Sequence, residues 1–487
     1  MVSPLRLGYR SYVLVSGAMA HEPLPRQPLG YADIHIRLSG YEGGEDGGTF
    51  QVWVEGETPA GTMRPDDASR CSFDPGRFWN NPAAGIGGLV GLLERRRLEE
   101  PQLYELGGLL AGLALPEGPV RSLFDRSLAG LKPGQGLRLR LQVDAEPLLR
   151  LPWEYLALPE ASGAPQPTDF LALRREVSIV RTDTVQAAAR DLPQRGHAAL
   201  VGVLSTPVDQ PELDVAKDRR YLEAAVAALT HAAGGEAVRL RWCEQPATRE
   251  ALIRVLAGGA DIFHFAGHGR FSAATHIGSI LLETDRSETD EYPSSMLAQL
   301  LRDSGIRLAV LGACDTGRRG GEDAWSGVAP ALTGQRIPAV IGNQFTIEDQ
   351  NAGLLAANAY PLLFAGFTID EALYEVRQAI FQRSGLAHRD WGAPVLYLRD
   401  ADGVLFPVPS GQAAEGAVGP FVRVANSFGH VLGKVVDVDV GEMSAGRLEV
   451  RDQVDVVGQG GTFTAVRIER LGSHGGRPDE TSPPPGD

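Results

Sequence analysis

The chain has 487 residues, of which 43% are hydrophobic, and a formal net charge of −15. A length of this order holds about two to four domains, each with its own core, and the acidic balance lacks the basic face that direct nucleic-acid binding needs. The three cysteines show no CxxC spacing, which argues against a disulfide framework or a zinc site, and no apolar run of about 18 residues is present to span a bilayer.

In chain order, residues 1–30 are Pro-rich and read as an irregular arm. Residues 31–56 alternate polar and apolar side chains, with Ile34, Ile36 and Leu38 and then Phe50, Val52 and Val54, the pattern of an antiparallel hairpin. Cys71 lies in a polar, Asp-rich stretch and reads as an incidental surface thiol in a loop. Residues 86–130 carry Leu89, Leu92, Leu93, Leu98 and Leu103 at mixed helical spacing, and residues 137–143 read as a strand. Together, residues 31–190 form an α+β module without a plausible nucleophile. GIGGLVG at 85–91 faintly echoes a dinucleotide loop, but no βαβ unit surrounds it and its third Gly falls one place late, so no nucleotide cofactor is expected.

From residue 197 the pattern changes to strand and helix in alternation. Strands are predicted at 198–204, 237–242, 260–265, 308–311 and 339–341, with helices at 213–229 and 248–257. Such alternation predicts an α/β domain over residues 196–405, a mostly parallel sheet with helices on both faces. Residues 395–398 are expected to close that sheet at an edge. Residues 406–419, rich in Pro, Gly, Ala and Ser, read as a linker. Residues 420–472 carry short alternating strands and no helix signal, which predicts a small all-β barrel. Residues 473–487 form a Gly/Pro/acidic tail expected to be disordered.

Two motifs carry chemistry. DIFHFAGHG (261–269) ends an apolar strand at His268, between Gly267 and Gly269. LAVLGACDTG (308–317) ends a second strand at Cys314. The carboxyl ends of strands in an open parallel sheet are where ligands bind. A His and a Cys delivered there can work as base and nucleophile, being distant in sequence and adjacent in space. His264, four residues before His268 on the strand itself, reads as a satisfied core histidine.

This motif pair resembles the CHAT family of caspase-like cysteine proteases (clan CD), in which HFxGHG carries the base and LxxCxT the nucleophile. The likeness extends upstream through LRLRLQVDAEP (137–147), LPWEY (151–155) and FLAL (170–173) and covers roughly residues 100–400. The resemblance implies a caspase-like fold and a His268/Cys314 dyad with no third carboxylate. It further implies an oxyanion hole from the backbone N–H groups of Gly269 and Cys314. No cofactor or metal is implied. In the clan an acid in the first specificity pocket selects a basic side chain and an Arg selects Asp. Asp315, Glu322, Asp323, Glu348 and Asp349 are candidates for lining it, with Trp325 as a possible substrate platform, and the sequence leaves the preference open.

The barrel segment resembles the second domain of translation elongation factors. Gly433-Lys-Val, Gly446-Arg-Leu, Asp452-Gln-Val and Gly458 fall on that pattern. No phosphate-binding GxxxxGK[ST] loop accompanies it, so GTP use is not implied.

The expected function is a regulated cysteine endopeptidase acting on a protein substrate in a bacterial defence or signalling system. A regulator or sensor would dock on the barrel. The rival is a catalytically idle scaffold whose barrel recruits a partner, possibly translation-linked. Residues 11–20 weakly resemble a signal-peptide core behind Arg6 and Arg10, but the run is short and a reactive thiol suits the cytoplasm, so a cytoplasmic location is expected and no membrane partner. The segment 318–325, directly after the nucleophile, reads as a candidate gate or an ordinary surface turn, with Gly317, Gly320 and Gly321 giving backbone freedom beside Arg318, Arg319, Glu322 and Asp323.

Overall fold

The protein is described by a computed structural model, which covers residues 9–10, 27–44, 47–73, 85–144, 146–159, 163–182, 192, 197–232, 238–272, 275, 277–312, 325–348, 351, 353–399, 402–407, 425–426, 438–439 and 466–467. The chain divides into two units, one of residues Pro23–Glu415 and one of Met1–Glu22 with Gly416–Asp487. In the second unit, Tyr9–Arg10 pairs antiparallel with Ala425–Asn426, and Val438–Asp439 pairs parallel with Val466–Arg467. The rest of the expected barrel, the linker from residue 408 and the tail lie outside the described residues.

The first unit is built on an 11-stranded sheet. Its strands, in chain order, are β1 (Gly30–Gly44), β2 (Gly47–Glu55), β3 (Ser69–Phe73), β4 (Gln135–Val143), β5 (Val177–Thr182), β6 (Ala198–Leu204), β7 (Val238–Trp242) and β8 (Ile262–Ala266). A separate three-stranded antiparallel sheet follows, β9 (Gly269–Ser272), β10 (Ile277–Glu283) and β11 (Thr289–Pro293), before the main sheet resumes with β12 (Leu308–Gly312), β13 (Ala339–Asn343) and β14 (Pro394–Leu398). The spatial order of the large sheet is β7-β6-β8-β12-β13-β14-β5-β4-β1-β2-β3.

Neighbours from β7 to β13 run parallel. The pair β13/β14 is antiparallel and reverses the direction, and β14, β5, β4 and β1 are again mutually parallel. The hairpin β1/β2 and the edge pair β2/β3 are antiparallel, as the alternation of residues 31–56 predicts for the hairpin. The parallel strands read as continuous apolar runs because both of their faces are covered. Even-numbered Leu200, Ile262, Leu308 and Val310 pack into one core, odd-numbered Val201, Phe263, Ala309 and Leu311 into the other.

Helices α1 (Gly85–Glu94), α2 (Glu100–Ala114) and α3 (Pro119–Ala129) fill the stretch predicted to be helical. The glycines at 85–91 therefore belong to a helix and not to a nucleotide loop. They are followed by α4 (Val215–Ala232), α5 (Arg249–Leu256), α6 (Ser294–Ser304), α7 (Trp325–Gly334), α8 (Leu354–Phe364) and α9 (Ile369–Ser384). Thr248 and Thr368 cap α5 and α9 with their hydroxyls, accepting from the backbone N–H of Ala251 and Glu371. No helix among the described residues is long and apolar enough to cross a membrane.

Three expectations need correction. The strand at 395–398 is not an edge, since β14 is hydrogen-bonded to β13 on one side and β5 on the other. The reason is that periodicity specifies a strand but not its neighbours. As a result one sheet and one core run across the boundary expected near residue 190, and residues 31–182 are continuous with the α/β part. Cys71 is not in a loop, for it lies in β3 opposite Phe50, half-buried, and burial pushes its thiol up. The small sheet β9-β10-β11 had no counterpart in the sequence reading.

The division into units carries a prediction. A chain of residues 23–415 alone should melt cooperatively at the midpoint of the full protein. Thermal denaturation followed by circular dichroism checks it, and a drop of many degrees would mean that the terminal segments belong to the core.

Candidate active site

The site is assembled where β8 and β12 end together. Their register sets Ile262 opposite Leu308 and Ala266 opposite Gly312, and Gly267 N–H donates to Gly312 O at 3.3 Å. Gly267 tolerates no side chain, because a Cβ there would lie 2.7 Å from the Phe265 ring and 2.9 Å from the Ser205 carbonyl oxygen. The turn that aims residue 268 thus depends on this glycine.

His268 is 5% exposed. Its Nε2 lies 2.8 Å from the carbonyl oxygen of Pro211, in the loop between β6 and α4. A carbonyl oxygen only accepts, so Nε2 carries the hydrogen and donates it. In the neutral ring the lone pair then sits on Nδ1, which is the nitrogen able to take a proton. The neighbouring backbone is also ordered by pairing. Leu281 N–H donates to His268 O at 2.9 Å, so residues 268 and 281 form a hydrogen-bonded pair. By the alternation of an antiparallel ladder, Gly269, opposite Ile280, turns its N–H away from β10.

Cys314, Asp315 and Asp349 lie outside the described residues, as does the run 317–323. Trp325 begins α7, with its side chain undescribed. The two described thiols are unsuited to nucleophilic work, since a reactive cysteine needs a depressed pKa. Cys243 is buried, and desolvation, reinforced by Glu244 and Glu283, pushes its thiol up to about 11. Cys71 is raised likewise.

Glu348 lies in the loop after β13, where its carboxylate is engaged. Arg96 Nη1 lies 3.3 Å from Glu348 Oε1, 2.8 Å from Asp390 Oδ1 and 3.5 Å from His388 Nε2. Glu348, His388 and Asp390 bring their ligand atoms within 4.8 Å of one another, a spacing a metal ion accepts. The guanidinium already supplies the positive charge those groups face, and Asp390 accepts in addition from Glu348 N–H and Asn351 Nδ2. The cluster ties the α1–α2 turn to the loop after β13 and to residues 388–390.

His264 behaves as a core residue. Its Nδ1 lies 2.6 Å from the Tyr360 hydroxyl on α8, and burial lowers its pKa from 6.5 to about 4. The folded pKa is below the unfolded one, so the unfolded chain binds this proton more tightly. The contribution to stability is intact above pH 6.5 and is lost as the pH falls toward 4. His264→Gln, which keeps a hydrogen-bonding side chain without the titration, should lose less stability between pH 6.5 and 4.5 than the wild type, by about 1–2 kcal/mol after allowance for partial exposure. Urea denaturation at both pH values measures it, and equal losses would remove His264 as the titrating group.

Pro211 was not legible as a partner of His268, the two being 57 positions apart. No local signal links a proline in one post-strand loop to a histidine in another.

A mostly parallel α/β sheet with His268 at a strand end defines the class, and the comparison with known families agrees. The model described as the CHAT domain matches residues 116–399, and the chain belongs to that family. No curated protein matches it. Among solved structures it is similar to the Arg specific cysteine proteinase gingipain R, at 12% identity and a TM-score of 0.36, over 66% of this chain and 75% of that one. It is also similar to a chain of the Saccharomyces cerevisiae separase–securin complex, at 13% identity and a TM-score of 0.31, over 66% of this chain and 21% of that one.

Proposed function

We propose that the protein is a cysteine endopeptidase in which His268 is the general base and Cys314 the nucleophile. The observation that carries this reading is the register of β8 and β12. Ala266 is opposite Gly312, His268 follows the first by two residues, and Cys314 follows the second by two. In this mechanism Nδ1 of His268 takes the thiol proton, and the thiolate attacks the scissile carbonyl carbon. The carbonyl oxygen becomes an oxyanion, held by the N–H groups of Gly269 and Cys314. The turn of Gly269 N–H away from β10 leaves it available for that role, and such a donor is worth roughly 3 kcal/mol of barrier. The imidazolium then protonates the leaving amine as the C–N bond breaks, giving a thioester. Water, deprotonated by Nδ1, hydrolyses the thioester, releases the acid and returns the proton to sulfur.

The Pro211 carbonyl, by holding Nε2–H, fixes the ring so that Nδ1 is the nitrogen that takes and returns the proton. The substrate is a protein, and the setting we propose is regulated proteolysis in a bacterial defence or signalling system. The C-terminal segment would engage a regulator. Asp315, Asp349 and Trp325 are the proposed specificity positions. Glu348 would contribute only by exchanging its present partners.

A peptide-based electrophile that mimics a scissile bond should label Cys314 and neither Cys71 nor Cys243, with labelling abolished by His268→Ala. Absence of labelling at Cys314 across a panel of basic, acidic and apolar peptides would favour the idle-scaffold alternative.

A further inference from the structure

His268 is aimed by a carbonyl that lies on a loop, and the loop is itself held by two strands of the small sheet, β10 and β11, and the turn between them. Residues 205–211 follow β6 and end at Pro211. Ser205 N–H donates to Ala266 O at 2.9 Å, and Ser205 Oγ donates to Leu281 O at 2.7 Å. Thr206 N–H donates to Oε1 of Glu283 at 2.9 Å. Val208 N–H donates to Ser287 O at 2.7 Å. Asp209 Oδ1 accepts from both the N–H and the hydroxyl of Thr289, at 2.9 and 2.7 Å, and Gln210 Nε2 donates to Thr289 Oγ1 at 2.9 Å. The end of β10 therefore grips both partners. Leu281 N–H holds the backbone of His268, while Leu281 O and the Glu283 carboxylate hold the loop that carries its orienting carbonyl.

Glu283 is the unusual member of this set. It is 3% exposed, and its second oxygen, Oε2, accepts from Ala247 N–H at 2.6 Å, in the loop before α5. Among the described residues it has no cationic partner. A buried carboxylate without a counter-ion is costly even when hydrogen-bonded. Its return here is geometric, because one rigid group fixes two post-strand loops at once.

We propose that Glu283 is a positioning residue for His268, fixing the loop that ends at Pro211 so that Nε2–H stays bonded to the Pro211 carbonyl and Nδ1 keeps its fixed direction as the proton acceptor. The inference rests on the reading of His268 and Cys314 as a working pair and extends it to the support of the base. Without the support the ring turns, Nδ1 loses its fixed direction, and the thiolate–imidazolium pair is weakened.

The test is the pH dependence of Cys314 alkylation by iodoacetamide in the full chain, with peptide mass spectrometry separating Cys314 from Cys71 and Cys243. In the wild type the rate should persist below the ordinary thiol pKa of about 8.5, and His268→Ala should abolish that low-pH reactivity. An ordinary thiol profile, unmoved by His268→Ala, refutes the Cys/His pair itself, whatever Glu283 does.

Given a working pair, Glu283→Gln keeps the shape but turns an amide nitrogen toward one of the two N–H donors. The rate at pH 6 should fall on the order of tenfold, with the inflection moved toward the ordinary thiol value. Thr289→Val, an exposed-side substitution that removes the hydroxyl bonding Asp209 and Gln210, should move both in the same direction by less. If Glu283→Gln does not fold, Thr289→Val decides alone. A folded Glu283→Gln with a lower melting temperature but a wild-type profile makes Glu283 a structural staple only and overturns the inference. So does a wild-type profile in Thr289→Val when Glu283→Gln cannot be read.

Discussion

Replacing Cys314 by Ala should abolish peptide-bond cleavage, lowering the rate by at least about a thousandfold. His268→Ala should do the same to within a similar factor, because base and nucleophile act as one unit and neither retains its function alone. The fold should survive both changes. The His268 ring makes one described hydrogen bond, to Pro211 O, and a single bond of this kind contributes about 1 kcal/mol net. The double substitution should then be no slower than either single one. Cleavage is measured on an unfolded protein or a peptide library, with melting temperature as the control for folding. Near-full activity in Cys314→Ala would place the chemistry elsewhere in the chain.

The largest expected effect on stability lies away from the site, where the two directions of the sheet share a core. Arg138, on β4, is fully buried. Its Nε and Nη2 donate to the two carboxylate oxygens of Asp370, at 2.9 and 2.7 Å, and Nη1 donates to Asp33 at 3.2 Å. The guanidinium also lies 5.6 Å from the centre of the Tyr31 ring. Asp370 belongs to the first turn of α9, so this pair joins the N-terminal strands to a helix that follows the proposed catalytic residues in sequence. Asp370→Ala leaves a buried guanidinium without its main partner and should cost about 3–5 kcal/mol. Replacing both partners at once, Arg138→Met with Asp370→Leu, should recover most of the loss, since the desolvation cost of the charges goes with them. Urea unfolding of the three variants measures this. A loss below about 1 kcal/mol in Asp370→Ala would mean that Asp33 or water compensates the charge.

The same residues show why the site was only partly legible. HFAGHG at 264–269 and LGACDT at 311–316 each follow an apolar run, so the proposed chemistry could be read from residue types and glycine placement alone. His264 was readable as a core side chain because it alternates with Ile262 and Ala266 on one face, and its bond to Tyr360 agrees. The support of His268 was not readable. Pro211, Glu283 and Thr289 are ordinary residues in loops and at strand ends, 57, 15 and 21 positions from His268. Glu348 looked like an available loop acid, yet Arg96, from a helical turn more than 200 positions earlier, engages it.

What the sequence determined by itself is local. The period-2 alternation of residues 31–56 specified a hairpin, the apolar runs specified buried parallel strands, and the glycines around His268 specified a turn after β8. These features follow from side chains within a few positions of one another, which the backbone geometry of a strand or turn converts directly into facing and exposure. Only the tertiary structure decided that β14 lies in the interior of the sheet, that Arg138 and Arg140 of an alternating strand are both buried, and that Nε2 of His268 is committed to Pro211. Each of these depends on which distant segment supplies the neighbouring strand, the counter-ion or the carbonyl. A hydrogen-bonding edge accepts any extended partner, and a carboxylate any cation, so the choice is made by the packing of the whole domain.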